Sequence, residues 1–113
     1  YVAADIYWGD TRFDELREHL KRANTLCSQY VKDYSLKGFF LGEMGAQVEL
    51  EKGNPAHALV SEPTQAEIHE ITFEELWNSS SGFFVNWCNK GPYCIKGRPA
   101  EDVVKQWFFK SHG

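Results

Sequence analysis

Apolar and polar side chains alternate over residues 1–8, and a period of two predicts a β-strand. A different period follows. Residues 11–34 carry apolar side chains three and four positions apart, which is typical of one continuous stripe on an α-helix. Thr11 is expected to cap this helix, because its hydroxyl can accept a backbone N–H of the first turn. The stripe consists of Phe13, Leu16, Leu20, Ala23, Leu26, Cys27, Tyr30, Val31 and Tyr34.

Downstream, the pattern becomes shorter and more mixed. Residues 37–44 read as a second strand, and residues 46–51 and 56–60 as the two arms of a hairpin around the turn sequence Lys-Gly-Asn-Pro. Residues 66–71 read as irregular or extended. Thr72 and Glu75 have the spacing of a capping box, so a short helix is expected to begin at Thr72.

The last third of the chain predicts two further strands and a final helix. Residues 82–88 alternate, residues 93–96 are bounded by glycines, and Pro99 stands at the expected first position of the helix. Together these elements predict one α+β domain over residues 1–113. We expect a two-layer sandwich, ferredoxin-like or related, with a long N-terminal helix and a C-terminal helix packed on a mainly antiparallel sheet.

Composition narrows the range of functions. The net charge is −4 and the pI is near 5.5, which disfavours nonspecific binding to nucleic acids or to anionic membranes. Three cysteines leave at least one thiol unpaired, so an intracellular location, cytoplasmic or nuclear, is expected. Cys88 and Cys94 flank a turn. A hairpin disulfide and a pair of reduced thiols are both possible there, and reduced thiols are expected.

One candidate metal site surrounds the predicted hairpin turn. Glu51, or Glu49, lies on one arm and His57 on the other, and cross-strand neighbours are about 5 Å apart. A carboxylate with a neutral imidazole can hold Mn²⁺ or Mg²⁺. The alternative is a solvated hairpin in which His57 is an ordinary strand residue. A polar connection containing Glu67, His69 and Glu70 also carries ligand-type side chains, and is interpreted as solvated.

A candidate nucleophile lies in the stretch Gly-Pro-Tyr-Cys-Ile-Lys-Gly. Tyr93 could attack phosphorus if Lys96 or a metal stabilised its phenolate. On a helix the two side chains would share a face. In a short strand, which the flanking glycines favour, they would point to opposite sides. Tyr93 is then a packed aromatic residue.

These residues, in this order, resemble the HUH-type replication-initiator endonucleases of small single-stranded DNA viruses. The resemblance implies a metal held by Glu51, or Glu43, and His57, with Tyr93 nicking single-stranded DNA and Lys96 supporting it. Mn²⁺ or Mg²⁺ would be the cofactor and nucleic acid the partner. Leu59 stands where that family has a second metal ligand, two residues after the histidine.

The interpretation we favour from sequence is a non-catalytic interaction or regulatory domain that binds another macromolecule, most simply a protein, or a second copy of itself. No cofactor and no membrane contact are expected for it. Aromatic residues make up 15% of the chain, and Phe83-Phe84 and Phe108-Phe109 place adjacent rings on diverging faces. One core covers one of those faces, and a partner would cover the other.

Overall fold

The structure is a computed structural model that describes residues 1–48, 58–88 and 91–110. Within these ranges the chain forms two strands and three helices, and the strands pair in parallel. In chain order they are β1 (Val2–Tyr7), α1 (Phe13–Asp33), β2 (Phe39–Gly45), α2 (Glu62–Leu76) and α3 (Pro99–Lys110). A small α+β domain was therefore correctly predicted.

The predicted antiparallel sheet is wrong. β1 and β2 are joined by α1, and a helical crossover returns the chain so that the second strand runs in the same direction as the first. The described ends of the expected hairpin disagree with it as well. Gln47 and Leu59 form a parallel bridge, and the Val60 N–H donates to the Gln47 carbonyl at 2.9 Å. The turn between them, residues 49–57, lies outside the described residues.

A bulge at Gly42 sets which side chains share a face of the sheet. Ala4 pairs with Leu41 and Asp5 with Glu43, so Gly42 is the extra residue. If the register continued without the bulge, Glu43 would stand opposite Ile6 and point into the core. A Cβ at Gly42 would lie 3.3 Å from Asp5 Oδ1, closer than most side chains tolerate. Glycine thus allows two carboxylates to stand side by side on the outer face.

α1 buries only the first part of the stripe that its sequence predicts, and Leu26 and Tyr30 farther along the helix are exposed. Leu16 and Leu20 are fully buried against the sheet and α2. The expected cap at Thr11 is wrong. The helix begins one residue after Arg12, and the Asp10 carboxylate accepts the Arg12 backbone N–H at 2.9 Å. Toward α2, Arg17 bonds Glu74 at 2.7 Å, which orients the two helices through a partly exposed ion pair.

α2 begins ten residues before the position predicted for it, so the prediction of irregular structure over residues 66–71 is wrong. Ser61 is its N-cap and accepts the Thr64 N–H at 3.2 Å. Thr72 lies inside the helix, where its hydroxyl donates to the Ile68 carbonyl at 2.7 Å. α2 is central and buried on several sides, and its buried set includes three polar residues, Gln65, His69 and Thr72. Those polar residues interrupt the apolar period on which a helix prediction depends.

The core lies between the inner face of the sheet and the three helices of the described chain. Phe73 of α2 is its centre, and aromatic rings surround it: Trp77, Phe83, Trp107 and Phe108, all with centroids within 6.0 Å. α3 begins at Pro99 as predicted, and its Trp107 indole N–H donates to Glu70 at 2.7 Å. Among the described residues, no helix combines the length and apolar character that crossing a bilayer requires.

Candidate functional site

The outer face of the sheet carries an uncovered row of aromatic rings. Tyr1 and Phe40 have ring centroids 6.4 Å apart, and Phe40 and Phe84 are 5.6 Å apart. Tyr1 is 66% exposed and Phe84 62%. The neighbouring Phe83 points the other way and packs on Phe73 at 5.0 Å. The predicted divergence of the Phe83-Phe84 rings is therefore confirmed.

Next to this row stand Asp5 and Glu43, which the Gly42 bulge places opposite each other. They are the charged residues of β1 and β2, and both side chains are exposed. Partial desolvation, and then the adjacent Glu43 carboxylate, raise the pKa of Asp5. Two like charges at this spacing favour a cation that can neutralise them. The outer face therefore combines apolar rings with a local negative charge.

Two tyrosines lie at the carboxyl end of the same face of the sheet. The Tyr7 hydroxyl donates to Glu43 Oε1 at 2.7 Å, and its ring meets Tyr93 edge to face with centroids 5.2 Å apart. Burial, and then the hydrogen bond to Glu43, raise the pKa of Tyr7 far above its usual value. Burial also raises the pKa of Tyr93. Both phenols are neutral over the physiological range.

Tyr93 lies in a turn, not in the short strand predicted for residues 93–96. The turn is fixed from both sides. Gln65 Nε2 donates to the Tyr93 and Cys94 carbonyls at 3.4 Å, and Arg98 Nη1 donates to the Cys94 carbonyl at 2.6 Å. Lys96 is exposed and stands outside the cavity that Tyr93 lines. A raised Tyr93 pKa is the opposite of what a phenolate nucleophile needs.

The predicted metal ligands Glu51 and His57 lie outside the described residues, as does Glu49. Glu43, the alternative ligand, is held by Tyr7 and stands beside Asp5. Within residues 1–48, 58–88 and 91–110, no group of three or more His, Cys, Asp or Glu side chains could hold a metal ion. Binding of Mn²⁺ or Mg²⁺ and nicking by Tyr93 stay predictions.

Cys88 and Cys94 form a disulfide, so the expectation of two reduced thiols is wrong. The bond closes a short loop, six residues in sequence, that contains Tyr93. Cys27 of α1 remains a free thiol, and burial raises its pKa. The disulfide thus fastens the Tyr93 turn to the end of the segment that carries Phe84.

Reduction of this bond is expected to lower the free energy of unfolding by about 2 kcal/mol, since closing a short loop restricts the unfolded chain. Denaturant unfolding with and without a dithiol reductant measures the difference. Thiol titration of the denatured protein should find Cys27 alone before reduction. A C27S variant is the matched control and should lose the same stability on reduction. Equal unfolding curves in both buffers would contradict the bond.

Sequence reasoning missed Asp5, and it considered Glu43 only as an alternative metal ligand. Asp5 is the charged residue of one strand, and Gly42 precedes Glu43 inside the other; a glycine within a strand is a signal of a bulge. Sequence reasoning did single out Phe84. A search with protein-family models and a search of curated proteins found no match to this chain, so the assignment of function depends on the geometry described above.

Proposed function

We propose that this protein is a non-catalytic interaction domain whose outer sheet face binds a segment of another protein. The observation that carries the proposal is the row formed by the exposed Tyr1 and Phe84 with the partly buried Phe40 between them, whose ring contacts both, on the side of the sheet away from the helices. Contiguous exposed aromatic surface is typical of binding sites. When a partner binds, each ring buries a large area and loses little side-chain entropy.

The chemistry of the partner follows from the charges on this face. Asp5 and Glu43 sit beside the rings, so a segment with a Lys or Arg next to an apolar or aromatic anchor is complementary. The same pair repels the phosphates of a nucleic acid. It also disfavours self-association through a two-fold axis close to this pair, since the carboxylates of the two copies would then face each other.

A random-peptide library displayed on phage tests this proposal. We expect selected peptides that pair a basic residue with an apolar one, and an F84S variant that binds them at least thirtyfold more weakly, the equivalent of a hot-spot loss of about 2 kcal/mol. A D5K variant should also lose binding, because it reverses one charge. Since Phe84 is exposed, F84S should leave the fold intact.

The matched control is Y30S, which removes a ring of comparable exposure from α1: Tyr30 is 50% exposed. Affinity should be unchanged in Y30S. An empty selection, or peptides that bind F84S as tightly as the unmodified protein, would contradict the proposal. Binding of a single-stranded oligonucleotide that is lost in F84S would replace the protein partner with a nucleic acid, and concentration-dependent dimerisation lost in F84S would replace it with a second copy.

The cysteines give two opposing indications of the compartment in which the domain functions. The odd number of cysteines favours the intracellular location expected from sequence, whereas the Cys88–Cys94 bond favours an oxidising environment. We infer that the domain binds its partner with this bond formed, because the bond holds the Tyr93 turn at the edge of the proposed surface.

A further inference from the structure

The C-terminal half of α1 carries apolar side chains that the described chain leaves exposed. The first half of the helix packs on the core through Leu16 and Leu20. Farther along, Leu26 is 69% exposed and Tyr30 50%, and Tyr34 at the C-cap is 63% exposed. Side chains four positions apart lie on one side of a helix, so these last three form a continuous row. We call this row the distal face of α1.

Opposite charges stand at the two ends of the distal face. Arg22 lies one helical turn before the row, and Asp33 lies at its far end, where the rings of Tyr30 and Tyr34 contact each other with centroids 4.5 Å apart. Both charged side chains are exposed. The Asp33 carboxylate accepts the Gln29 amide at 2.6 Å, and Arg22 forms no ion pair with any residue that the structure describes. The row therefore runs from a cation through apolar groups to an anion.

This order of groups is complementary to itself when it is reversed. In an antiparallel pair of α1 helices related by a two-fold axis, every contact between two different positions occurs twice. If the axis passes between Leu26 and Tyr30, Leu26 of each copy packs on Tyr30 of the other. Arg22 of each copy then meets Tyr34 and the adjoining Asp33 of the other, which supplies cation–π contact and an ion pair. A parallel pair would place like charges together at both ends.

We propose that the distal face of α1 binds a second copy of this chain in the antiparallel, two-fold arrangement. A partner of different sequence would have to carry the same groups in reversed order, whereas a second copy already carries them. The face holds few side chains, and interfaces below about 1,200 Å² are typical of weak association, so we expect a micromolar dissociation constant. α1 packs on the inner side of the sheet, and the dimer leaves the outer face uncovered. The inference goes beyond the outer-face proposal and does not depend on it.

Sedimentation equilibrium at protein concentrations up to about 1 mM, a range that covers weak interfaces, measures the association. A C27S background prevents covalent cross-links through the free thiol of α1. We expect a reversible monomer–dimer equilibrium. Y30S should raise the dissociation constant roughly thirtyfold or more, because each dimer loses two ring contacts. F84S removes a ring of comparable exposure from the outer face, and it should leave the dissociation constant unchanged.

Charge reversal tests the antiparallel arrangement itself. R22D and D33R should each weaken the dimer roughly five- to thirtyfold, because each places like charges at both ends of the interface. An equimolar mixture of the two variants should associate as tightly as the unmodified protein, since a cation again faces an anion at each end. K21D is the matched control. Lys21 lies on the opposite side of α1 from Tyr30, so this reversal should not change the association.

A protein that stays monomeric up to about 1 mM would overturn the inference and leave the distal face to a different protein. A dimer that Y30S retains, or a mixture of R22D and D33R that associates no better than its components, would overturn it as well. Y30S and F84S exchange the roles of test and control between this experiment and the peptide selection. Failure of either proposal can therefore be told from failure of the other.

Discussion

Replacing Phe73 with alanine is expected to remove about 3–5 kcal/mol from the free energy of unfolding. Phe73 is fully buried and its ring contacts Trp77, Phe83 and Phe108 edge to face, with Trp107 also in contact. Trp77, at the end of α2, also contacts Phe83 and α3, but it is only partly buried. Truncation of the fully buried Phe73 therefore leaves a cavity at the centre of the cluster. The total free energy of unfolding of a domain of this size is roughly 5–15 kcal/mol.

Denaturant unfolding measures the effect, and F73L, which keeps much of the volume, should lose less. The matched control is F109A. Phe109 is 71% exposed, so its removal should change stability by no more than about 0.5 kcal/mol. A loss in F73A as small as that in F109A would mean that α2 and α3 do not pack around this ring.

The second large effect is a dependence of stability on pH that comes from His69. Its side chain is fully buried, Nδ1 donates to the Gln65 carbonyl at 2.8 Å, and Nε2 has no partner among the described residues. Burial lowers the pKa of His69 despite that hydrogen bond. The folded protein therefore keeps the imidazole neutral at a pH where the unfolded chain protonates it.

It follows that stability is lost as pH falls below the unfolded value of about 6.5, by up to about 1.4 kcal/mol per pH unit, until the folded pKa is reached. Unfolding curves between pH 7 and pH 5 measure the slope. H69Q should flatten it, and H19Q, at an exposed position on α1, should not. Calorimetry of the unmodified protein gives a second check, namely uptake of about one proton on unfolding near the lower end of that range. A slope that H69Q leaves unchanged would contradict the buried neutral imidazole.

The buried His69 also explains why residue 45 is a glycine. Gly45 ends β2 with φ of +128°, and a Cβ there would lie 3.4 Å from His69 Cε1. Only glycine readily adopts this backbone conformation, and it also leaves room for the imidazole. Asn86 Nδ2 donates to the neighbouring Met44 carbonyl at 3.0 Å. The end of β2 is thus supported by polar groups buried beneath the outer face.

The sequence predicts the elements whose period is regular. β1, α1 and β2 begin and end close to their predicted bounds, and α3 begins where predicted, because each of these elements places buried and exposed side chains on different faces. α2 has no such contrast, since Gln65, His69 and Thr72 are buried among its apolar residues. The apparent capping box at Thr72 was misleading, because Ser61 and Pro63 start the helix earlier.

Strand direction and the composition of the outer face were less predictable. A period of two says which side chains share a face, but not which way a strand runs beside its neighbour. The Gly42 bulge then places Glu43 opposite Asp5, on the face that an unbroken alternation would not give it. Phe84 could be assigned to a second face from sequence because Phe83 precedes it, whereas its proximity to Asp5 and Glu43 depends on the parallel pairing.

The most direct measurement of the central claim is an NMR footprint on the protein of a peptide selected from the library. The outer-face account predicts that shifts concentrate on Phe40, Phe84 and Asp5, and that they disappear in F84S. Shifts concentrated instead on Leu26 and Tyr30 of α1 and on Tyr34 just after it, all exposed, with the sheet face unperturbed, would contradict it.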